Sequence, residues 1–312
     1  MKKIIVLGSL NMDLTIQSDF IPAKGETIHG SDFFTNPGGK GGNQAVSAAK
    51  LGSNTEMIAC VGDDIFGKDL ISSLESCGVK TSNVMVSKDV STGVAVIIRC
   101  NKDNRIILGN GANYALEFED VKPRFDEIAN AGDIFLTQLE NRYEVVVESL
   151  KYAKEKGLYT VFNPAPARIL DKEVYSYIDL IVVNQSECQL LTDIYPESEE
   201  SCKEALFEFK RRGCNGIITL GSKGSITLID DEIFFVEPID VEVVDTTAAG
   251  DSYIGALCNY LSEDRSFTDA MEFASKISSI TVMKKGAQVS IPSKEDVIKF
   301  DKEYKLWVKD QL

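Results

Sequence analysis

A chain of 312 residues, 44% hydrophobic and 26% charged, has room for one large α/β unit with an appendage and for an ordinary globular core. Its formal net charge of −15 argues against nucleic acid and anionic membranes as partners, because a phosphate backbone needs a basic face. Seven cysteines, scattered, odd in number and without CxxC spacing, read as reduced and mostly buried, not as a disulfide frame or zinc site.

The first element is a buried strand, IIVLG at 4–8. Its four apolar residues are too few for a signal-peptide apolar region or a membrane span, and no later run approaches that length, so a cytoplasmic location is expected. GSLNMD (8–13) follows, and in an extended chain Asn11 and Asp13 project to the same side. An amide and a carboxylate at a strand end can grip vicinal hydroxyls and would repel a ligand already phosphorylated. An Asx-rich turn gives the same spelling. Residues 13–35 are strand-like without a helix and hold the only histidine, His29, which reads as an exposed polar residue.

NPGGKGGNQAVSAAKLG (36–52) packs four glycines into five residues and runs into a helix predicted over 43–51. It is not a Walker A loop, since glycine follows Lys40, nor a dinucleotide fingerprint, since Gln44 stands where the third glycine belongs. It is either a mobile loop or a bare backbone for close contact, with Lys40 and Asn43 offering donors to hydroxyl oxygens. Strands are then predicted at 56–62, 133–140, 158–166, 179–184 and 216–221. Helices at 68–77, 143–156 and 202–212 separate them, closed like the first by Gly52, Gly78, Gly157 and Gly213. This alternation argues for a mostly parallel sheet covered on both faces. Residues 91–108 break the rhythm as a hairpin through 101–104. We therefore expect a core of 1–12, 36–90 and 109–312, with 13–35 and 91–108 forming a small β-sheet lid over the strand ends.

NQSE (184–187) ends a strand. Its Asn184 and Glu187 spell either a helix capping box or a dock for a metal–nucleotide, and the spacing fits both. Near the end, VVDTTAAGDSYIGALCNYL (243–261) runs from a strand-like end through a polar turn into three small residues, Asp251 and an apolar helix. A helix start flanked by small residues suits a phosphoryl group, which meets free N–H groups and the positive end of the dipole. Alone, Asp251 reads as a cap. The small residues before it and the second acid, Asp245, favour a carboxylate that takes a proton during phosphoryl transfer.

Taken in order, GSLNMD, PAKGETIHG, GGKGGNQA, STGVA, GAN (111–113), QLE (138–140), NPAPAR, NQSE, TLGSKG, DTTAAGD and KGAQVSIP resemble the ribokinase family of carbohydrate kinases over nearly the whole chain. The resemblance implies a three-layer α-β-α, Rossmann-like α/β fold with a small β-sheet lid often used for dimerisation. It implies an ATP-dependent sugar kinase that turns ribose into ribose 5-phosphate, with Mg2+ required and K+ activating. Asp251 would be the base, and the backbone of Ala248, Ala249, Gly250 and Asp251 the anion hole. Asn11, Asp13, Gly39, Lys40, Asn43 and Glu140 would hold the sugar. Asn184, Thr219, Leu220, Gly221, Ser222, Lys223, Gly224, Gly250 and Ser275 would hold the nucleotide, and Glu187 would reach Mg2+ through water. Asp245, Thr247, Thr281, Lys284, Gly286 and Ser290 would make the K+ site, mostly through carbonyls. Ser275 stands where relatives often carry His or Asn, which leaves the nucleotide preference open. The Asn11-Met12-Asp13 spacing favours ribose over 2-deoxyribose; another sugar, a nucleoside or a non-catalytic sugar-binding regulator remain as alternatives.

Overall fold

The protein is described from a computed structural model, which covers residues 1–100 and 103–311. The first seven strands are β1 (Ile4–Leu7), β2 (Asn11–Gln17), β3 (Ser31–Gly38), β4 (Thr55–Gly62), β5 (Val84–Ser87), β6 (Gly93–Cys100) and β7 (Asp103–Gly109). The others are β8 (Ile134–Thr137), β9 (Tyr159–Phe162), β10 (Leu180–Asn184), β11 (Asn215–Thr219), β12 (Ser225–Ile229) and β13 (Glu232–Val236). Helices α1 (Lys40–Lys50), α2 (Ile65–Ser76), α3 (Phe118–Ile128), α4 (Tyr143–Glu155) and α5 (Gln185–Thr192) lie in the first two thirds. Helices α6 (Glu199–Arg212), α7 (Ala249–Ser262), α8 (Phe267–Thr281) and α9 (Lys294–Gln311) complete the chain.

Nine strands form one sheet in the order β13-β12-β11-β10-β9-β8-β1-β4-β5. Strands β5 to β11 along this order pair in parallel, whereas β12 pairs antiparallel with both β11 and β13. Alternation along each strand divides the apolar residues between two faces. Ile4 and Val6 of β1 join Leu70, Leu74, Leu257 and Met271 under α2, α7 and α8. Ile5 and Leu7 join Phe125, Leu150, Leu206 and Phe209 under α3, α4 and α6. Each such side chain stabilises the fold by about 1.5–3 kcal/mol, so two full layers of them secure the central strands. The mostly parallel, two-faced sheet expected from the alternating pattern is what forms.

Helix α6 shows why the local signals work. Ser198 accepts from the Ser201 amide at its start, and Gly213 closes it at φ 104° behind Lys210, Arg211 and Arg212. All seven cysteines are free thiols, and burial pushes Cys258 up to about 12, as expected of inert core residues. Among the described residues no helix is long and apolar enough to cross a membrane.

The helix-free stretches make a second sheet, β3-β2-β6-β7. Its limits differ from the expected ones. Asn11 pairs with Gly38 and Met12 with Pro37, and Val94 pairs with Gly109, so 11–12, 36–38 and 109 belong to the small sheet's ladders. The β6–β7 turn lies partly outside the described residues. Two further expectations are corrected. Helix α1 begins at Lys40, not 43, because Gly39 with φ 88° turns the chain directly into it. The strand-like end at 243–244 is no strand: it lies in a loop, with Val243 and Val244 exposed.

Candidate active site

The glycine-rich segment is not a mobile loop. A Cβ on Gly41 would lie 2.6 Å from the Gly8 backbone, and one on Gly39 would lie 2.7 Å from the Asn11 amide nitrogen. Glycine here lets the start of α1 press against the β1–β2 junction. That contact brings Lys40 and Asn43 beside the residues that follow β1.

Around this junction the polar groups converge on Glu140. Its Oε2 accepts from Ser9 Oγ at 2.5 Å, from the Lys40 amide at 3.2 Å and from Asn11 Nδ2 at 3.3 Å. Asn113 fixes Asn11 by donating to its Oδ1 at 2.7 Å. Asp13, two residues along β2, is pushed up to about 7 by burial first and then by the charges of Glu140 and Asp251. The charge of Asp251 lifts Lys40 above its ordinary value, against the effect of burial. Several oxygens and one cation thus face a common space, a donor–acceptor set suited to polyhydroxylated ligands.

Asp251 closes this space from the other side. It is the third residue of α7 and only 8% exposed. It does not cap its helix: the N-cap position is Ala248, left-handed at φ 62°. Asn43 Nδ2 donates to Asp251 Oδ2 at 2.9 Å, and Gln44 Nε2 donates to Oδ1 at 3.0 Å. Gln44 is held by Gln138 Nε2 at 2.6 Å and itself reaches Asn163. This buried amide chain was not foreseen; Gln44 drew notice only as a residue that breaks a fingerprint. A Cβ on Gly250 would meet nothing within 4 Å, so glycine there leaves room over the helix start and is not needed for packing.

Two cavities meet at that helix start, sharing Thr219, Thr246, Ala249 and Gly250. The smaller, about 250 Å³, holds Lys40, Asn184, Glu187 and Asp251. The larger, about 500 Å³, runs past Gly221, Ser222 and Gly224 to Ser275, whose hydroxyl donates to the Glu237 carbonyl. Leu220 and Lys223 do not line it; the Leu220 side chain packs into the apolar layer beneath α6. Asn184 and Glu187 form the capping box of α5, each accepting from the other's amide at 2.8 Å. Burial raises Glu187 above the usual carboxylate range.

Among the described residues no group of three or more His, Cys, Asp or Glu is placed to hold a metal ion. A divalent ion here would need ligand phosphates and water, to which Glu187 fits as one carboxylate. The loop entering α7 and the turn after α8 suit a larger, weakly hydrated ion. Asp245 supplies the charge, Ser290 a buried hydroxyl and the turn its carbonyls, all oxygen donors. Thr281 is buried too, and its hydroxyl, like that of Ser290, donates to a backbone carbonyl (Ile277 and Ala287 respectively) and keeps its lone pairs. The side chains of Thr247 and Lys284 serve elsewhere: Thr247 donates to Asp245, and Lys284 lies 3.6 Å from Asp296.

Residues 1–294 match the model of the pfkB family of carbohydrate kinases. A ribokinase of Schizosaccharomyces pombe is 39% identical over 94% of this chain and 96% of its own length. A deoxyribokinase of Salmonella typhi is 36% identical over 94% and 96%. The solved structure of an Arabidopsis thaliana ribokinase complexed with ribose and ATP superposes with a TM-score of 0.87 at 30% identity, covering 96% of this chain and 98% of that one. With the family model matched over residues 1–294 and relatives similar along nearly their whole length, this chain belongs to the pfkB family of carbohydrate kinases.

Proposed function

We propose that this protein is a ribokinase that transfers the γ-phosphoryl group of ATP to the primary hydroxyl of ribose, giving ribose 5-phosphate and ADP. The observation that carries this reading is the position of Asp251: buried, aligned by two amides, and at the junction of the sugar-side cluster and the nucleotide-sized cavity. Asp13, Asn11 and Glu140 hold the sugar hydroxyls, and Lys40 balances their charge. Asp251 accepts the hydroxyl proton as the sugar oxygen bonds to the γ-phosphorus and the bond to the β–γ bridging oxygen breaks. The proton leaves late in so loose a transition state, so an ordinary carboxylate suffices. The helix start from Ala248 to Asp251 receives the developing charge.

Glu187 would reach Mg2+ through water, where the ion would neutralise charge on the phosphates, and Asp245 would hold K+ beside the loop that enters the helix start. The net charge of −15 gives no support to a nucleic-acid partner, and we place the protein in the cytoplasm. We assign a homodimer formed through the small sheet, whose edge strand β7 exposes Ile106 and Ile107, one on each face, as apolar contacts for a second copy.

An ADP-release assay over ribose, 2-deoxyribose, fructose and adenosine tests the substrate, and ribose is expected to give the highest kcat/KM. The deoxyribokinase relative makes 2-deoxyribose the second reading. Replacing the base, Asp251→Asn, is expected to lower kcat by roughly 10²–10⁴-fold while ribose binding measured by calorimetry changes little. A fully active variant would remove Asp251 from the chemistry.

A further inference from the structure

The carboxylate of Asp245 is shared between the core and the small sheet. Its Oδ1 accepts from the Thr247 amide at 3.0 Å and the Thr247 hydroxyl at 2.6 Å. Its Oδ2 accepts from the Gly286 amide at 3.1 Å and from Arg99 Nη2 at 3.2 Å. Four donors on two oxygens use all the ordinary acceptor positions of a carboxylate. Arg99 comes from β6 of the small sheet, and its guanidinium lies over the Phe34 ring of β3, 5.5 Å from the centroid. The Arg99 and Asp245 side chains are 29% and 11% exposed, so this pair is screened less than a surface pair. Of two lysines in or against the turn that carries Gly286, Lys284 pairs with Asp296 and Lys50 donates to the Gln288 and Ile291 carbonyls. Among the described residues, Arg99 is the cationic group within ion-pair distance of Asp245.

We infer that Arg99 and a monovalent cation compete for Asp245, so that the small sheet sets how much potassium this enzyme requires. The inference rests on the proposed cation site. An ion bound to Asp245 needs an oxygen position that Arg99 now fills, and two positive charges at one carboxylate repel. Seating the ion therefore releases Arg99 and with it a tie between the small sheet and the loop leading to Ala248. Cation binding and docking of the small sheet are linked by one coupling free energy, and the linkage runs both ways.

The test follows thermal unfolding of the full chain and of Arg99→Met, Arg99→Lys and Asp245→Asn over a KCl series, with choline chloride keeping ionic strength constant. Arg99→Met is expected to reach half-maximal stabilisation at about fivefold lower KCl or less, the low end of typical coupling. Arg99→Lys, which keeps a charge and guards against an unstable methionine variant, should fall between it and the parent. Asp245→Asn should lose the response. The KCl dependence of ADP release should shift in parallel. Equal half-maximal concentrations in the parent and both Arg99 variants would overturn the competition and leave the cation site standing. If KCl stabilises neither parent nor variants, or Asp245→Asn responds like the parent, the cation site itself fails and the competition falls with it.

Discussion

Asp13 carries a consequence of the sugar site into the pH dependence of stability. Burial and the charges of Glu140 and Asp251 push its carboxyl from 3.8 up to about 7. Between those values the folded chain keeps a proton that the unfolded chain has released, so stability falls as pH rises through this window and levels off above it. Below pH 4 both states are protonated and the term is fully favourable. Asp13→Asn removes the titration while keeping the shape. We expect the variant to match the parent in Tm near pH 4 and to exceed it in stability by about 2 kcal/mol or more at pH 8, with ribose binding lost. Circular-dichroism melts at the two pH values decide it; a Tm difference that does not change with pH would refute the assignment to Asp13. The site residue that gives up stability is the one that faces the substrate.

At the level of elements, two glycines have opposite reasons to be there. Gly41 of α1 faces the Gly8 backbone, which cannot move aside, whereas Gly250 of α7 faces open space. Gly41→Ala is expected to destabilise by about 1–3 kcal/mol through overpacking and to displace Lys40 and Asn43. Gly250→Ala should leave stability unchanged or raise it by up to about 1 kcal/mol, since alanine favours the helix, yet cost most of the activity by crowding the phosphate path. Paired urea titrations and kcat values separate the two; parallel losses in both would contradict this division. Such reasons explain what was legible in the sequence. The strands of the large sheet and helices such as α6 announce themselves by local periodicity and caps. The glycine cluster did not reveal whether it served packing or ligand, because Gly8 and Gly41 are distant in sequence. The β12–β13 hairpin was missed although Asp230 and Asp231, at φ 50° and 66°, mark a tight turn. Asp251 and Asn43 stand out as candidates in the sequence because small residues and polar spacing surround them. Gln44, Asn163 and Arg99 do not, since each takes its role from a partner more than 100 residues away.

Over the whole molecule, the site lies where the parallel strands end. Asn11 follows β1, Glu140 follows β8, Asn163 follows β9, Asn184 ends β10 and Thr219 ends β11. An open parallel sheet gathers its ligands at this edge. The small sheet grows from the same edge, because β2 leaves β1 within three residues and returns through β3 directly into α1. The small sheet's outer strands are costly for a single copy: Phe33 of β3 is 63% exposed, Ile106 and Ile107, on opposite faces of β7, are 57% and 65% exposed, and β7 pairs on one side only. Covering them with a second small sheet would remove that liability and hold Asp13 and Arg99, on neighbouring strands, in fixed positions. Ile107→Lys places a charge in that contact without touching the large sheet. We expect it to convert a dimer to a monomer in sedimentation velocity and to raise the KM for ribose, with kcat less affected. A parent protein that sediments as a monomer at assay concentration would remove the dimer, and the exposed strip would then need another partner.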